Sequence, residues 1–258
     1  MSSVTQRIQA ITQPRGGYVP PRTMDMQQLD DGNPTPLDHK RENLHPSLVG
    51  TAVDYLTRMA TGASSWDAFR VSLKGARILG GTDLQNATSW VEQIGAGGLD
   101  TGTIALACQL SAYDTVYRAG VSAYDPRRQS IPDALTCEHI EIMVRRAITV
   151  FAQYGGVTLD GFTFLGGYTD LVDSGDGDFL TDDTLWDMKV SVSGPKPKDT
   201  MQLLMYYLMG KRTGEFKFEG LTHIGVLNPR LNNTHRIKVA DIPQKVIAGV
   251  SSDVIGYQ

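Results

Sequence analysis

The sequence predicts an α/β (α+β) protein with a helical first half and a second half built on a central mixed sheet flanked by helices. Two observations carry this. From Pro46 to about Tyr154 apolar residues recur at helical spacing, and after Gly155-Gly156 the period shortens to that of strands. The 258 residues fit either one large domain or a domain with a helical appendage, and the second is expected.

Residues 1–42 are polar and carry Pro14, Pro20, Pro21, Pro34 and Pro36, so they read as an extended or partly disordered arm. Residues 43–154 form the helical region. Pro46 suits a first helical turn, and Leu48, Val49, Val53 and Leu56 follow on one face. Further helices are expected over 65–79, 84–94, 103–119 and 133–154, separated by Gly80-Gly81, Gly95-Ala-Gly-Gly98 and Tyr124-Asp-Pro126. Residues 155–258 form the sheet-bearing core. Strands are expected at 162–165, 168–172 and 184–191, with 174–183 as a turn. Asp199 then caps a helix to about Lys211, and strands at 222–227 and 235–239 follow.

Hydrophobic residues make up 41% and charged residues 20%, and no apolar run approaches the roughly 18 residues of a membrane span. The first residues lack the apolar core of a signal peptide, so a reducing cytoplasm is expected, with Cys108 and Cys137 as buried thiols. The net charge of -4 is unevenly spread. Between Asp160 and Asp187 there are eight Asp and no Lys or Arg, whereas Lys196 to Lys245 holds nine Lys or Arg against four Asp or Glu. That order suits a site where metal ions neutralise carboxylates while flanking cations hold phosphates. The five histidines show no metal-ligand spacing, Asp173–Asp178 misses the pattern of a calcium loop and reads as a turn, and no phosphate loop or Gly-x-Ser-x-Gly nucleophile is present.

Asp187 and Lys189 are two apart on an expected strand, so their side chains leave one face. Asp170, on the expected preceding strand, would come beside Asp187 through a hairpin. Two such carboxylates repel unless a cation lies between them, and all-oxygen ligation suits Mg²⁺ or Mn²⁺. Lys189 could then orient or help deprotonate an attacking water and offset charge on a pentavalent phosphate.

Gly166-Gly-Tyr-Thr-Asp170, Trp186-Asp-Met-Lys189 and Gln202-Leu-Leu-Met-Tyr206 together resemble the PD-(D/E)XK nuclease superfamily, in particular its RecB-like branch with a Gln-x-x-x-Tyr helix. The resemblance covers residues 155–242 and implies a restriction-endonuclease-like core. It implies that Asp170, Asp187 and the Met188 carbonyl hold the metal, that Lys189 is the catalytic lysine, and that Gln202 and Tyr206 contact the substrate or steady the lysine. The same branch carries an earlier motif on a helix. Leu48 to Arg58 resembles that helix, with Asp54 at the place of its histidine as a third metal ligand, and Glu138 and Glu141 as rivals. The expected function is metal-dependent hydrolysis of DNA, by an exonuclease or endonuclease of repair, recombination or defence. The alternatives are a silent nucleic-acid-binding or protein-interaction module of the same fold, and a nuclease acting on RNA.

Overall fold

The computed structural model describes residues 2–32, 37–127 and 130–258. The chain divides into two compact units, Asn33–Val150 and the combination of Met1–Gly32 with Phe151–Gln258.

The first unit is helical. It comprises α2 (Pro46–Ala60), α3 (Ser65–Ala68), α4 (Arg70–Leu79), α5 (Gly81–Ala96), α6 (Thr101–Ser111), α7 (Asp114–Ala119) and most of α8 (Ala134–Gln153). Pro46 opens α2 as its first helical residue, and the buried stripe Val49, Ala52, Val53 and Leu56 follows the expected face. Two expected helices are each broken in two. Ser64 caps α3 by accepting from Asp67 N, and Phe69, at φ -94° and ψ 18°, leaves helical geometry before α4 begins. The stretch 103–119 breaks at Ala112 and Tyr113, where the Tyr113 carbonyl presses on Gly75 of α4. A Cβ on Gly75 would lie 2.0 Å from that oxygen, so only glycine permits the crossing. Cys108 and Cys137 are buried thiols, and burial pushes both thiol pKa values up.

The second unit is built on a six-stranded mixed sheet whose spatial order is β1 (Asp25–Gln28), β6 (Asn233–Lys238), β5 (His223–Asn228), β4 (Thr184–Met188), β3 (Asp176–Leu180) and β2 (Leu159–Thr163). Strands β2, β3 and β4 form an antiparallel meander. Helix α9 (Pro197–Thr213) then crosses to β5, which runs parallel to β4, and β6 returns antiparallel. Helix α10 (Gln244–Gly249) and the π-helical turn Val250–Ile255 end the chain. No helix among the described residues is long and apolar enough to cross a membrane.

Residues 1–42 are not simply an extended arm. Ser3 and Gln6 form a capping box that starts α1 (Val4–Ala10), whose Val4 and Ile8, one turn apart, are buried in the core of the sheet unit. Arg7 donates to the carbonyls of Val254 and Asp253 at 2.8 and 2.9 Å, tying α1 to the last helical turn. Strand β1 (Asp25–Gln28) pairs antiparallel with β6 although all four of its residues are exposed. A polar edge strand held by its backbone ladder has no apolar alternation for a sequence reading to detect.

The strand expected at 168–172 is a turn. The Thr169 hydroxyl accepts from the amides of Leu171 and Val172, each at 3.2 Å, and Thr169 N donates to Val172 O, so local bonds take the groups a ladder would use. The strand lies instead within the stretch expected as a turn. Gly177 in β3 is required because the Phe162 ring of β2 lies over it, and any Cβ at this position would meet the ring at 2.3 Å. Helix α9 starts at Pro197, and its cap is Lys196; Asp199 lies at the third helical position and accepts from Lys196 N at 2.7 Å. Met201, Leu204, Met205 and Met209 of α9 pack with Leu185, Ile224, Val226 and Ile237 of the sheet. The other face of the sheet carries Phe179 and Trp186, which pack in tilted and edge-to-face contacts against Phe151 and Tyr154. Burial of an apolar side chain of the size of Phe179 is worth about 1.5–3 kcal/mol.

Candidate active site

Alternation along β4 puts Trp186 and Met188 on one face and Leu185, Asp187 and then Lys189 on the face covered by α9. Asp187 is therefore carried into the core, where it is only 2% exposed. Lys189 N donates to Leu227 O at 2.9 Å, which prolongs the ladder one residue past the strand and fixes where the lysine departs.

The pairing of β3 with β4 matches Phe179 with Trp186 and Leu180 with Leu185. One step further along the same register, Asp178 stands opposite Asp187. The Asp178 Oδ2 accepts from Met188 N at 2.9 Å. Two carboxylates are thus brought side by side on neighbouring strands, a placement that is unfavourable unless something positive compensates.

Lys189 supplies that charge. Its Nζ donates to Asp187 Oδ1 at 3.0 Å and lies 2.8 Å from Oδ2, although Oδ2 is buried and makes no hydrogen bond. The same Nζ donates to Gln202 Oε1 at 3.4 Å, and Gln202 Nε2 donates to Tyr206 Oη at 3.0 Å. Gln202 and Tyr206 are four apart on α9, so one helical face delivers both to the lysine. Burial, opposed by Lys189 and reinforced by the charges of Asp178 and Asp199, pushes the Asp187 carboxyl up to about 7. For Lys189 burial acts downward, but Asp187, Asp178 and Asp199 outweigh it and hold the ammonium protonated. Burial likewise pushes the Tyr206 phenol up, which keeps its proton in place.

Of the residues expected at the site, Asp187, Lys189, Gln202 and Tyr206 come together. Asp170 does not lie on a strand; it is exposed on the bend that Thr169 closes. Asp178 takes the position across from Asp187. Asp54 is on α2 in the helical unit, where its Oδ2 accepts from Arg58 Nε and Nη2 at 3.1 and 2.9 Å. Glu141 pairs with Arg145 at 2.7 Å, one helical turn on, and Glu138 is exposed. Sequence reasoning misses Asp178 and, as a neighbour of the site, Asp199. A signal for Asp178 exists, since Gly175-Asp-Gly-Asp178 repeats the Gly-x-x-Asp spacing of Gly167-Tyr-Thr-Asp170.

The donor set fits a hard divalent cation. Oxygen ligands from the two adjacent carboxylates of Asp178 and Asp187 suit Mg²⁺ or Mn²⁺. Among the described residues no three acidic, His or Cys side chains gather as a metal cage, so water and backbone carbonyl would complete the shell. Compared with known protein families, curated proteins and solved structures, the chain matches none.

Proposed function

We propose that the chain is a divalent-metal-dependent nuclease of the PD-(D/E)XK type that hydrolyses DNA. The observation that carries this reading is the register that sets Asp178 against Asp187, with Lys189 two residues on and bonded to Asp187. The order of helix, antiparallel three-strand meander, crossover helix and a strand parallel to the third supports a restriction-endonuclease-like core. The Gln202–Tyr206 pair on the crossover helix supports the branch with a Gln-x-x-x-Tyr motif.

In this reading Asp178, Asp187 and the Met188 carbonyl hold Mg²⁺ or Mn²⁺. The ion supplies Lewis acidity toward a phosphate oxygen and lowers the pKa of water. Lys189, protonated and anchored by Gln202, orients the attacking water and offsets the charge gathering on the phosphorus oxygens. Tyr206 keeps Gln202 turned toward the lysine through its phenol. Of the nine Lys and Arg from Lys196 to Lys245, Arg230 is buried and Lys217 and Arg236 pair with Glu215 and Asp183, whereas Lys196, Lys198, Lys238 and Lys245 are exposed and offer cations for the backbone of the substrate.

The test is incubation of the purified chain with labelled linear duplex, circular duplex and single-stranded DNA and with RNA, in Mg²⁺, Mn²⁺ or EDTA. Cleavage of DNA that needs the metal and drops about a hundredfold or more in Lys189→Ala is expected, since loss of a charge-stabilising group typically costs that much. Cleavage by Lys189→Ala within about tenfold of wild type, or no metal-dependent cleavage of any of these substrates, would overturn the reading.

A further inference from the structure

A cavity of about 530 Å³ lies wholly within the helical unit. Its volume falls in the range of about 300–1,000 Å³ typical of small-molecule sites. Trp90, Tyr113 and Tyr124 line it, and their rings form a row: Trp90 and Tyr113 stack with centroids 6.2 Å apart, and Tyr113 and Tyr124 lie 5.6 Å apart. Tyr113 is pinned by donating to Asp83 Oδ1 at 2.9 Å, so the middle ring cannot swing. Trp90 and Tyr124 are only half-buried, which leaves aromatic surface for a planar guest.

The polar lining is equally specific. Asn86 brings a carbonyl oxygen and an amino group, and Gln109, whose amino group donates to Ala105 O at 3.3 Å, adds a carbonyl oxygen, so donors and acceptors for a heteroaromatic edge are both present. Ser111 also lines the cavity, is 2% exposed, and its hydroxyl has no hydrogen-bond partner. A buried hydroxyl without a partner is costly, and a polar guest atom would satisfy it. Charge disfavours a phosphate inside the cavity: among the described residues that line it, Asp83, Asp114 and Asp125 outnumber the single cation Arg118, which donates to Asp114 Oδ2 at 2.7 Å.

From the ring row, the Ser111 hydroxyl and the charge balance, we infer that this cavity binds an uncharged heteroaromatic ring of nucleoside size, stacked on Trp90 and Tyr124. The shared chemistry is a nucleobase, free in a nucleoside or carried on a single strand. The inference does not depend on the nuclease reading, and it is tested in EDTA so that cleavage plays no part.

The whole chain is titrated by calorimetry and ligand-observed NMR with adenosine, cytidine, AMP and a short single-stranded oligonucleotide. Wild type is expected to bind a nucleoside or the oligonucleotide with a dissociation constant below about 1 mM. Trp90→Leu and Tyr124→Leu should each weaken binding about fivefold or more, the effect of losing one stacking ring. Ala123→Trp at the exposed rim should block the cavity if either ring variant folds poorly. Binding by nucleoside assigns a free guest, and binding by the oligonucleotide alone assigns a base on a strand; either supports the inference. It is overturned if neither binds, if binding is unchanged in Tyr124→Leu and Ala123→Trp, or if AMP binds as tightly as adenosine.

Discussion

Each unit of the molecule buries an aspartate beside a cation, and the two settings differ. In the helical unit Asp114 receives three donors: the Tyr55 hydroxyl at 2.8 Å and the Ser72 hydroxyl at 2.9 Å on Oδ1, and Arg118 Nε at 2.7 Å on Oδ2. In the sheet unit Asp187 has Lys189 alone, stands across from Asp178 and feels Asp199 as well. The first carboxylate is satisfied on both oxygens and works as a structural knot. The second is crowded by its own kind and pushed up to about 7, a state that a cation would relieve. Burial of an acid therefore does not mark a site; the partners around it do.

The largest effect expected from this contrast is on stability. Asp114→Ala would strand the Tyr55 and Ser72 hydroxyls, both buried, and remove the partner of Arg118. Urea unfolding should show a loss of about 3–5 kcal/mol, the usual cost of breaking a buried hydrogen-bonded pair. A loss below about 1 kcal/mol would mean that the knot is not structural.

The pH dependence of Asp187 comes next. Its carboxyl is raised from 3.8 to about 7, so the folded state holds a proton that the unfolded state has released. That contribution to stability is complete below about pH 4 and is lost as pH rises through about 7. Measured in EDTA against Asp187→Asn, which does not titrate, wild type should lose stability relative to the variant between those limits. A flat or rising difference would place the proton elsewhere.

The smallest effect is the sharpest contrast with Asp114. Asp178→Asn keeps an oxygen to accept from Met188 N but removes one of the two facing charges. Without metal it should melt at or above wild type, with a gain of up to about 1 kcal/mol. A clear fall in melting temperature would make Asp178 a structural partner like Asp114.

Sequence and structure agree where one periodicity acts alone. The spacing of Asp187 and Lys189 on a strand, and of Gln202 and Tyr206 on a helix, is enough to place each pair on one face, and Pro46 marks the start of α2. The partner of Asp187 is hidden because β3 opens as Asp-Gly-Asp, a composition that reads as a turn, while the Phe162 ring over Gly177 and pairing on both sides hold it extended. Tyr168 to Val172 misleads in the opposite direction: strand-like residues are folded into a turn by one threonine side chain. Strand β1 is not legible at all, since its order comes from the ladder to β6.

The most direct test of the account is Mn²⁺ binding, followed by calorimetry and thermal shift, in wild type, Asp178→Asn and Asp170→Asn. Wild type and Asp170→Asn should bind alike and be stabilised alike, because Asp170 sits on an exposed bend, whereas Asp178→Asn should lose about tenfold or more in affinity and most of the shift. Loss of binding in Asp170→Asn with binding retained in Asp178→Asn, or no binding by wild type, would contradict it.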